Sequence, residues 1–222
     1  MLGKPRIHVD ECESTQLLLD PSMPEGAIAT TRHQTGGRGR RGRTWHDTPG
    51  ASLLFSVLLT PPAGRRAQEL TLVGALAVAE VVDGQIKWPN DVLVAGRKVS
   101  GGMAELRDGA VVLGIGINVN QTEEQLPADA RVPAASLRTT GRERDVDALL
   151  DEVLTALDAL YATWRREGLA ALHERIVARD ALRGRDVTVG DVSGTAAGIA
   201  ADGRLQVGEA LLESGEVNVA LH

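Results

Sequence analysis

The apolar positions fall into short runs that can be read one at a time. Ile7 and Val9 flank His8, and residues 27–31 form a second short run, so both predict strands. Between them, Ser14 or Thr15 is a candidate N-cap for a short helix through Leu17, Leu18 and Leu19 that Pro21 stops. Residues 51–59 are nearly continuously apolar and end before Pro61 and Pro62, which predicts a strand covered on both faces. From 67 to 82, Leu70, Leu72, Val73, Leu76, Ala77, Val81 and Val82 recur mostly at helical spacing, giving a buried helix. Residues 86–94 read as a strand interrupted by Pro89. A proline there demands an edge or a bulge, which throws Asn90 and Asp91 out of the ladder. Gly96, Arg97 and Lys98 predict a hairpin turn, and residues 99–106 return past Gly101 and Gly102. Residues 110–120 form a further strand, whose alternating Gly114 and Gly116 permit close approach of a ligand or another backbone. A polar loop containing prolines spans roughly 121–134.

Val146, Leu149, Leu150, Val153, Leu154, Leu157, Leu160, Tyr161 and Trp164 carry the cleanest helical period in the chain. Gly168 interrupts it, and a shorter helix continues through Leu172 and Ile176. Past Leu182 the runs become short and are split by Gly-Asp, Ser-Gly, Asp202-Gly203 and Ser214-Gly215, which predicts a small β-barrel built of hairpins. The pattern divides the chain into a larger domain over 1–180 and a small one over 181–222, with the boundary near Ala181.

Composition narrows the setting. The 222 residues are 43% hydrophobic yet include only five of Phe, Trp or Tyr, so the core must be aliphatic. A single cysteine, Cys12, excludes a disulfide framework and points to a reducing compartment. No apolar run approaches the ~20 residues of a membrane span, and no signal-peptide core follows Met1, so a cytoplasmic protein without membrane association is expected. The net charge of −6 argues against general nucleic-acid binding while leaving room for a local basic site. The chain has 21 arginines and three lysines, and two of the lysines, Lys87 and Lys98, share one twelve-residue span.

The strongest local feature is the stretch 34–45, in which residues 36–43 consist of four glycines and four arginines. Glycine-rich backbone and crowded like charge disfavour both a helix and a buried strand. Such a loop suits an anionic ligand, because glycine admits close approach and arginine offers a planar donor fork. Gly37, Gly39 and Gly42 formally match G-x-G-x-x-G, but the residues after them carry no helical period, so a dinucleotide site fails on context. No Gly-Lys-Ser/Thr follows, which excludes a Walker A loop. Arg-Gly repeats of RNA-binding segments are usually disordered and set in basic chains, whereas this one lies between apolar runs of an acidic protein.

Other chemistry is absent. The sequence has no Cys/His cluster at metal-ligand spacing, no Gly-x-Ser-x-Gly elbow and no evident Ser/His/Asp arrangement. What remains is positive charge with an Asn/Asp pair, an inventory suited to phosphoryl or nucleotidyl transfer by positioning and charge neutralisation. A carboxylate substrate, already ionised at neutral pH, could attack an ATP α-phosphate without a protein base.

Five motifs then occur together in one order: Glu13-Ser14-Thr15; Gln34 followed by Gly37-Arg38-Gly39-Arg40-Arg41-Gly42-Arg43-Thr44-Trp45; Lys87-Trp88-Pro89-Asn90-Asp91; Arg97-Lys98-Val99-Ser100-Gly101-Gly102; and Gly114-Ile115-Gly116-Ile117-Asn118. The combination resembles the biotin protein ligases, also called biotin–acetyl-CoA-carboxylase ligases, over essentially the whole chain. The resemblance implies an α+β catalytic domain like that of class II aminoacyl-tRNA synthetases, with a small SH3-like C-terminal barrel. It implies an enzyme that uses ATP and Mg2+ to convert biotin to biotinyl-5′-AMP, then transfers biotin to a lysine of a biotin carboxyl carrier domain of a carboxylase.

By matching motif positions, Ser14, Thr15, Gln16 and Gln34 would bind biotin, with Gly37, Arg38, Gly39 and Arg40 lying over it. Arg40 and Arg43 would face phosphate, Trp45 would wall the adenylate site, and Asn90 and Asn118 would contact the nucleotide. Lys98 would reach the biotin carboxylate and the developing acyl phosphate, making it catalytic together with Arg40 and Arg43. Lys87 would support phosphate or Asp91. No motif identifies the Mg2+ ligands, and the partner set is the carrier domain with neither nucleic acid nor membrane, in a monomer or homodimer. Gln16 and Ser100 stand where asparagine and a small apolar residue are common in the family. The chain starts directly at the catalytic domain, so the short form without a DNA-binding domain is expected. A catalytically silent binding homologue would lack Lys98 or the arginines, and the Arg-Gly loop with Lys-Trp-Pro-Asn-Asp favours biotin over lipoate.

Overall fold

A computed structural model describes residues 1–128, 130 and 132–219. In chain order its elements are β1 (Arg6–Cys12), β2 (Ile28–Gln34), β3 (Ser52–Leu59), α1 (Glu69–Val81), β4 (Gln85–Lys87), β5 (Asp91–Val94), β6 (Arg97–Arg107) and β7 (Ala110–Asn118). These are followed by α2 (Val146–Glu167), α3 (His173–Val177), β8 (Asp186–Val189), β9 (Val192–Ile199), β10 (Leu205–Val207), β11 (Ala210–Leu212) and β12 (Val217–Val219). The first seven strands form one sheet in the order β1-β2-β3-β7-β6-β5-β4, in which only β1 and β2 run parallel. This is the expected α+β arrangement.

Period-two alternation gives the two faces of that sheet different jobs. Leu53, Phe55, Val57 and Leu59 of β3, with Val111, Leu113, Ile115 and Ile117 of β7, join α1 and α2 in the main core. All eight residues of β3 are buried, as its continuous apolar run predicts. On the opposite face, Leu58 and Val112 belong to a second cluster with Leu19, Ala27 and Ala29. Further along that face the ladder pairs Ser56 with Gly114, Leu54 with Gly116 and Ser52 with Asn118. Bulky aliphatics at one end and small or polar residues at the other leave a trough.

The helices are fixed by specific contacts. The Asp145 carboxylate caps α2 by accepting from the Ala148 N–H at 2.8 Å, and Gly168, at φ 89°, ends it. Trp164 Nε1 donates to Glu69 Oε2 at 2.7 Å, tying α2 to the first turn of α1. At Gly74 α1 lies flush on β7, where an added Cβ would sit 3.2 Å from both Ile115 Cδ1 and Leu113 Cδ2.

Four local expectations are corrected. The segment 86–94 is a hairpin rather than one strand: β4 ends at Lys87, and Pro89 and Asn90 lie in the turn. Asp91 belongs to the ladder, paired with Lys87 and Gly101, and the irregularity falls between Val92 and Leu93. A proline at the tip of an edge hairpin interrupts no hydrogen bond. The next turn consists of Ala95 and Gly96, both at positive φ, so Lys98 stands within β6 rather than in the turn. The predicted helix near Leu17 is a single 3-10 turn over Thr15–Leu18, and Ser14 makes no side-chain cap.

The small C-terminal β-domain is an open five-stranded sheet, β11-β10-β9-β8-β12, and not a closed barrel. Its inward residues Val187, Val189, Ala196, Leu205, Val207 and Val217 share the main core. Trp88 Nε1 donates to Gly203 O at 2.9 Å, and Ile86 bridges Asp180. The small sheet's apolar residues are buried in the shared core rather than by closure of the sheet on itself. Asp129 and Arg131 of the polar loop and residues 220–222 of the C-terminal region lie outside the described residues.

The contact at Gly74 is testable. Gly74→Leu should wedge α1 away from β7 and destabilise the protein by about 2 kcal/mol, outweighing the gain in helix propensity. A urea midpoint equal to that of the wild type would mean that α1 slides freely on the sheet.

Candidate functional site

The trough is the floor of a cleft of about 950 Å³. The Arg-Gly loop and the 3-10 turn at Thr15 wall one side; the β4–β5 hairpin and the C-terminal sheet wall the other. Ser14, Thr15, Gln16, Gln34, Arg38, Gly39, Arg40, Arg43, Trp45, Asn90, Lys98 and Asn118 all line it. Of the predicted binding residues only Gly37 does not. Its backbone instead meets the returning leg of the loop, where a Cβ would stand 2.5 Å from Trp45 O.

The loop is a narrow hairpin. Trp45 N donates to Gly37 O at 2.9 Å, Gly39 N donates to Arg43 O at 2.6 Å, and Arg38 bridges Thr44. At the tip, Arg40–Gly42 makes one 3-10 turn with Arg41 at φ 58°. The loop thus forms no regular helix or buried strand, as its composition predicts, but its arginines acquire partners from all around it. Arg38 donates to Glu13 Oε1 at 3.3 Å and lies 3.9 Å from Glu105. Arg40 donates to Asn90 Oδ1 at 3.0 Å, and Arg43 to Glu216 Oε1 at 2.9 Å.

One end of the cleft is neutral and hydrogen-bonding. Thr15 N donates to Gln34 Oε1 at 2.8 Å, and the Thr15 and Ser56 hydroxyls are 2.8 Å apart. With its oxygen used this way, the Gln34 amide has its NH2 left to donate, 3.3 Å from where a Gly37 Cβ would stand. Gln16 lies over Gly114, within 3.1 Å of where a Cβ would be, and donates to Met103 O at 3.2 Å. The Gln16 carbonyl accepts from Arg107 at 2.8 Å. Ser14, Thr15 and Gln16 are all buried.

The other end is cationic. Lys98 Nζ sits 2.7 Å from Asp91 Oδ1 and 5.8 Å from the centroid of the Trp45 ring. Lys87 is only 8% exposed, and its ammonium has no hydrogen-bonding partner among the described residues. Burial pushes its pKa below the ordinary lysine value, with Asp91 opposing. Burial likewise lowers the Arg40 pKa, and Arg41 and Arg43 add repulsion. The Trp45 indole rests on Gly116, where a Cβ would come within 2.5 Å of the ring, and its buried Nε1 is unpaired.

Two residues expected to touch a nucleotide are occupied by the protein itself. Asn118 donates to Ala135 O at 3.0 Å and accepts from Gln121 Nε2 at 3.1 Å. Asn90 donates to Gly102 O at 2.9 Å while accepting from Arg40. Sequence reasoning gave no role to Ser56, Glu105 or Glu216, and named Glu13 only as part of a motif. Ser56 was findable as the lone central hydroxyl of a buried apolar strand, whereas the three glutamates meet the loop only through long-range folding.

A neutral amide pocket that leads into a cluster formed by Arg40, Lys87 and Lys98 suits a polar ring with a carboxylate tail, held beside a phosphate chain. No group of three or more His, Cys, Asp or Glu able to hold a metal occurs among the described residues, and no helix there is long and apolar enough to cross a membrane.

Comparisons with known proteins agree with this chemistry. The model of the biotin/lipoate A/B protein ligase family matches residues 11–121. The chain is 31% identical over 189 residues to the bifunctional ligase/repressor BirA of Bacillus spizizenii, covering 78% of this chain and 58% of that protein. It therefore spans little more than half the length of that relative. It is 30% identical to the biotin–[acetyl-CoA-carboxylase] ligase of Paracoccus denitrificans, with 80% of each chain covered. The biotin protein ligase of Aquifex aeolicus, solved in complex with biotin and ATP, superposes with a TM-score of 0.86 at 30% identity, covering 98% of this chain and 99% of that one.

The base of the loop should respond to pH. His33 Nδ1 lies 2.9 Å from Asp47 Oδ2, and that hydrogen bond raises the His33 pKa above 6.5. The native state therefore binds the proton more tightly than the unfolded chain does. The resulting stability is fully present below about pH 6.5 and is lost as pH rises through the raised value. The stability advantage of wild type over His33→Gln should accordingly be larger at pH 6 than at pH 8 in urea titrations; an equal gap would detach His33 from Asp47.

Proposed function

The chain belongs to the biotin/lipoate A/B protein ligase family, and from that premise we propose that it is a biotin–[biotin carboxyl carrier protein] ligase working on ATP in the cytoplasm. The observation that carries the proposal is that Lys98, paired with Asp91, lines the same cleft as Thr15 and Gln34 of the neutral pocket and Lys87 and Arg40 of the cationic end. A biotin ring in the neutral pocket meets donors and acceptors suited to a ureido group. Its valerate tail then runs along the cleft past Gln16 and Trp45, where these cover Gly114 and Gly116, and ends at the Lys98 ammonium.

In the first step a biotin carboxylate oxygen attacks the ATP α-phosphorus, and the bond to the β-phosphate oxygen breaks to release pyrophosphate. Lys98 steadies the negative charge on both the carboxylate and the transferring phosphoryl group, and Asp91 holds the lysine in place. Arg40 and Lys87 face the phosphates. Arg40 is aimed by Asn90, which gives that asparagine an orienting role. Mg2+ carried on the phosphates would neutralise further charge, with Asp91 the carboxylate on this wall able to share it. Asn118 holds the floor through Ala135 and Gln121. Arg43 ties the loop to Glu216 of the C-terminal sheet, and Trp45 forms the adenylate wall. In the second step an acceptor lysine amine attacks the acyl carbon, the C–O bond to AMP breaks, and the amine loses its proton as the amide forms. We place the catalytic domain at 1–180 and the accessory sheet at 181–222.

Pyrophosphate release should require biotin and should not be supported by lipoate. Lys98→Ala should fold normally yet release pyrophosphate at least ~10²-fold more slowly, the loss expected for one transition-state cation. Release at the wild-type rate from folded Lys98→Ala would remove this lysine from the chemistry.

A further inference from the structure

The returning leg of the Arg-Gly loop meets β2 and the outgoing leg that continues it. Trp45 N donates to Gly37 O at 2.9 Å, Gly50 N donates to Arg32 O at 3.1 Å, and Gln34 N donates to the Asp47 carboxylate at 3.3 Å. Of these three, only the last uses a side chain, and the same Asp47 carboxylate also reaches His33. The Asp47 side chain is 1% exposed, and its second oxygen accepts from His33 Nδ1 at 2.9 Å. A buried carboxylate with one oxygen on a histidine and the other on a backbone N–H is fixed in direction.

Gln34 is held from two sides. Its side-chain oxygen accepts from Thr15 N at 2.8 Å and from Thr15 Oγ1 at 3.2 Å, and its backbone N–H is held by Asp47. Both anchors are needed to fix where the remaining Gln34 NH2 points. Two residues before Asp47, on the same leg, Trp45 lies over Gly116.

We propose that Asp47 is a positioning residue for the biotin end of the site, acting through Gln34 with His33 orienting its carboxylate; this rests on the reading of the cleft as a biotin site. Asp47 touches no substrate. It sets the angle at which the Gln34 amide meets the ring.

The test compares wild type, Asp47→Ala, Asp47→Asn and Gln34→Ala, each with and without Asp47→Ala where it can be combined. It measures biotin affinity by calorimetry and the KM values for biotin and ATP by pyrophosphate release. Asp47→Ala should weaken biotin binding and raise its KM about tenfold, with the KM for ATP moving less than threefold. Asp47→Asn, which retains an oxygen for Gln34 N–H, should stay within threefold of wild type. In the Gln34→Ala background, Asp47→Ala should add less than threefold, because its route to the ligand is gone. A merely structural role would lower the melting temperature and the active fraction without separating the two KM values. Should Asp47→Ala not fold, Asp47→Ser, whose hydroxyl is too short to reach both partners, carries the same comparison. An unchanged biotin affinity, an equal rise in both KM values, or a full Asp47→Ala effect without the Gln34 side chain would overturn the assignment. A wild type that binds biotin but releases no pyrophosphate defeats the ligase reading alone, and the calorimetric affinities still decide Asp47. A wild type that does not bind biotin overturns both.

Discussion

The structure depends on β7 being bulky on one face and nearly bare on the other. Val111, Leu113, Ile115 and Ile117 anchor the helical layer, while Gly114 and Gly116 between them leave room for Gln16 and Trp45 to lie directly on the sheet. A methyl group at Gly116 would stand inside the Trp45 ring, and one at Gly114 would press on Gln16. The strand therefore supplies the core and the trough at once, through a period of two. Everything placed around the cleft takes its height from that floor.

A loop with four arginines in eight residues would repel itself if left alone, and its partners explain how it folds. Glu13 and Glu105 flank Arg38, Asn90 receives Arg40, and Glu216 receives Arg43. These partners come from four separate parts of the chain, so the loop takes its shape only after both sheets are assembled. Exposed pairs of this kind contribute little individually. Their effect here is directional: each arginine is turned toward a particular wall, and the loop closes against the first sheet and the C-terminal sheet together.

Much of this was legible before folding. The continuous apolar run of β3, the helical period of α2 and the glycine alternation of β7 each state a burial pattern, and burial is what the fold obeys. The motifs also brought together the right residues, since nearly all of them line one cleft. Their individual duties were less legible. Asn118 and Asn90 look like free amides in the sequence, but Gln121, Ala135, Gly102 and Arg40 occupy them. The barrel was inferred from hairpin spacing and from the family resemblance. Spacing cannot reveal that the apolar residues would be buried in the shared core rather than by closure of the sheet on itself. Lys98 was assigned to a turn over residues 96–98, whereas Ala95 takes the first positive-φ position ahead of Gly96 and the strand resumes at Arg97, two residues earlier than expected.

The cationic end carries a cost that its function accounts for. Burial disfavours the charged form of a lysine, and the largely buried Lys87 is held below the ordinary lysine pKa for that reason. Asp91 is the nearest compensation, but its carboxylate oxygen is already 2.7 Å from Lys98. Asp91 thus serves two lysines, with a weaker attraction from Glu216 on Lys87, and the Arg40 guanidinium beside them is itself partly desolvated. Adding a second carboxylate would neutralise the cluster and stabilise the fold, but it would also repel an incoming phosphate chain. The imbalance is tolerable because the surrounding core, continuous from α1 to the C-terminal sheet, holds the lysines where they are. A polyphosphate arriving there would relieve the repulsion among these cations, so the charge deficit itself favours the nucleotide proposed as substrate.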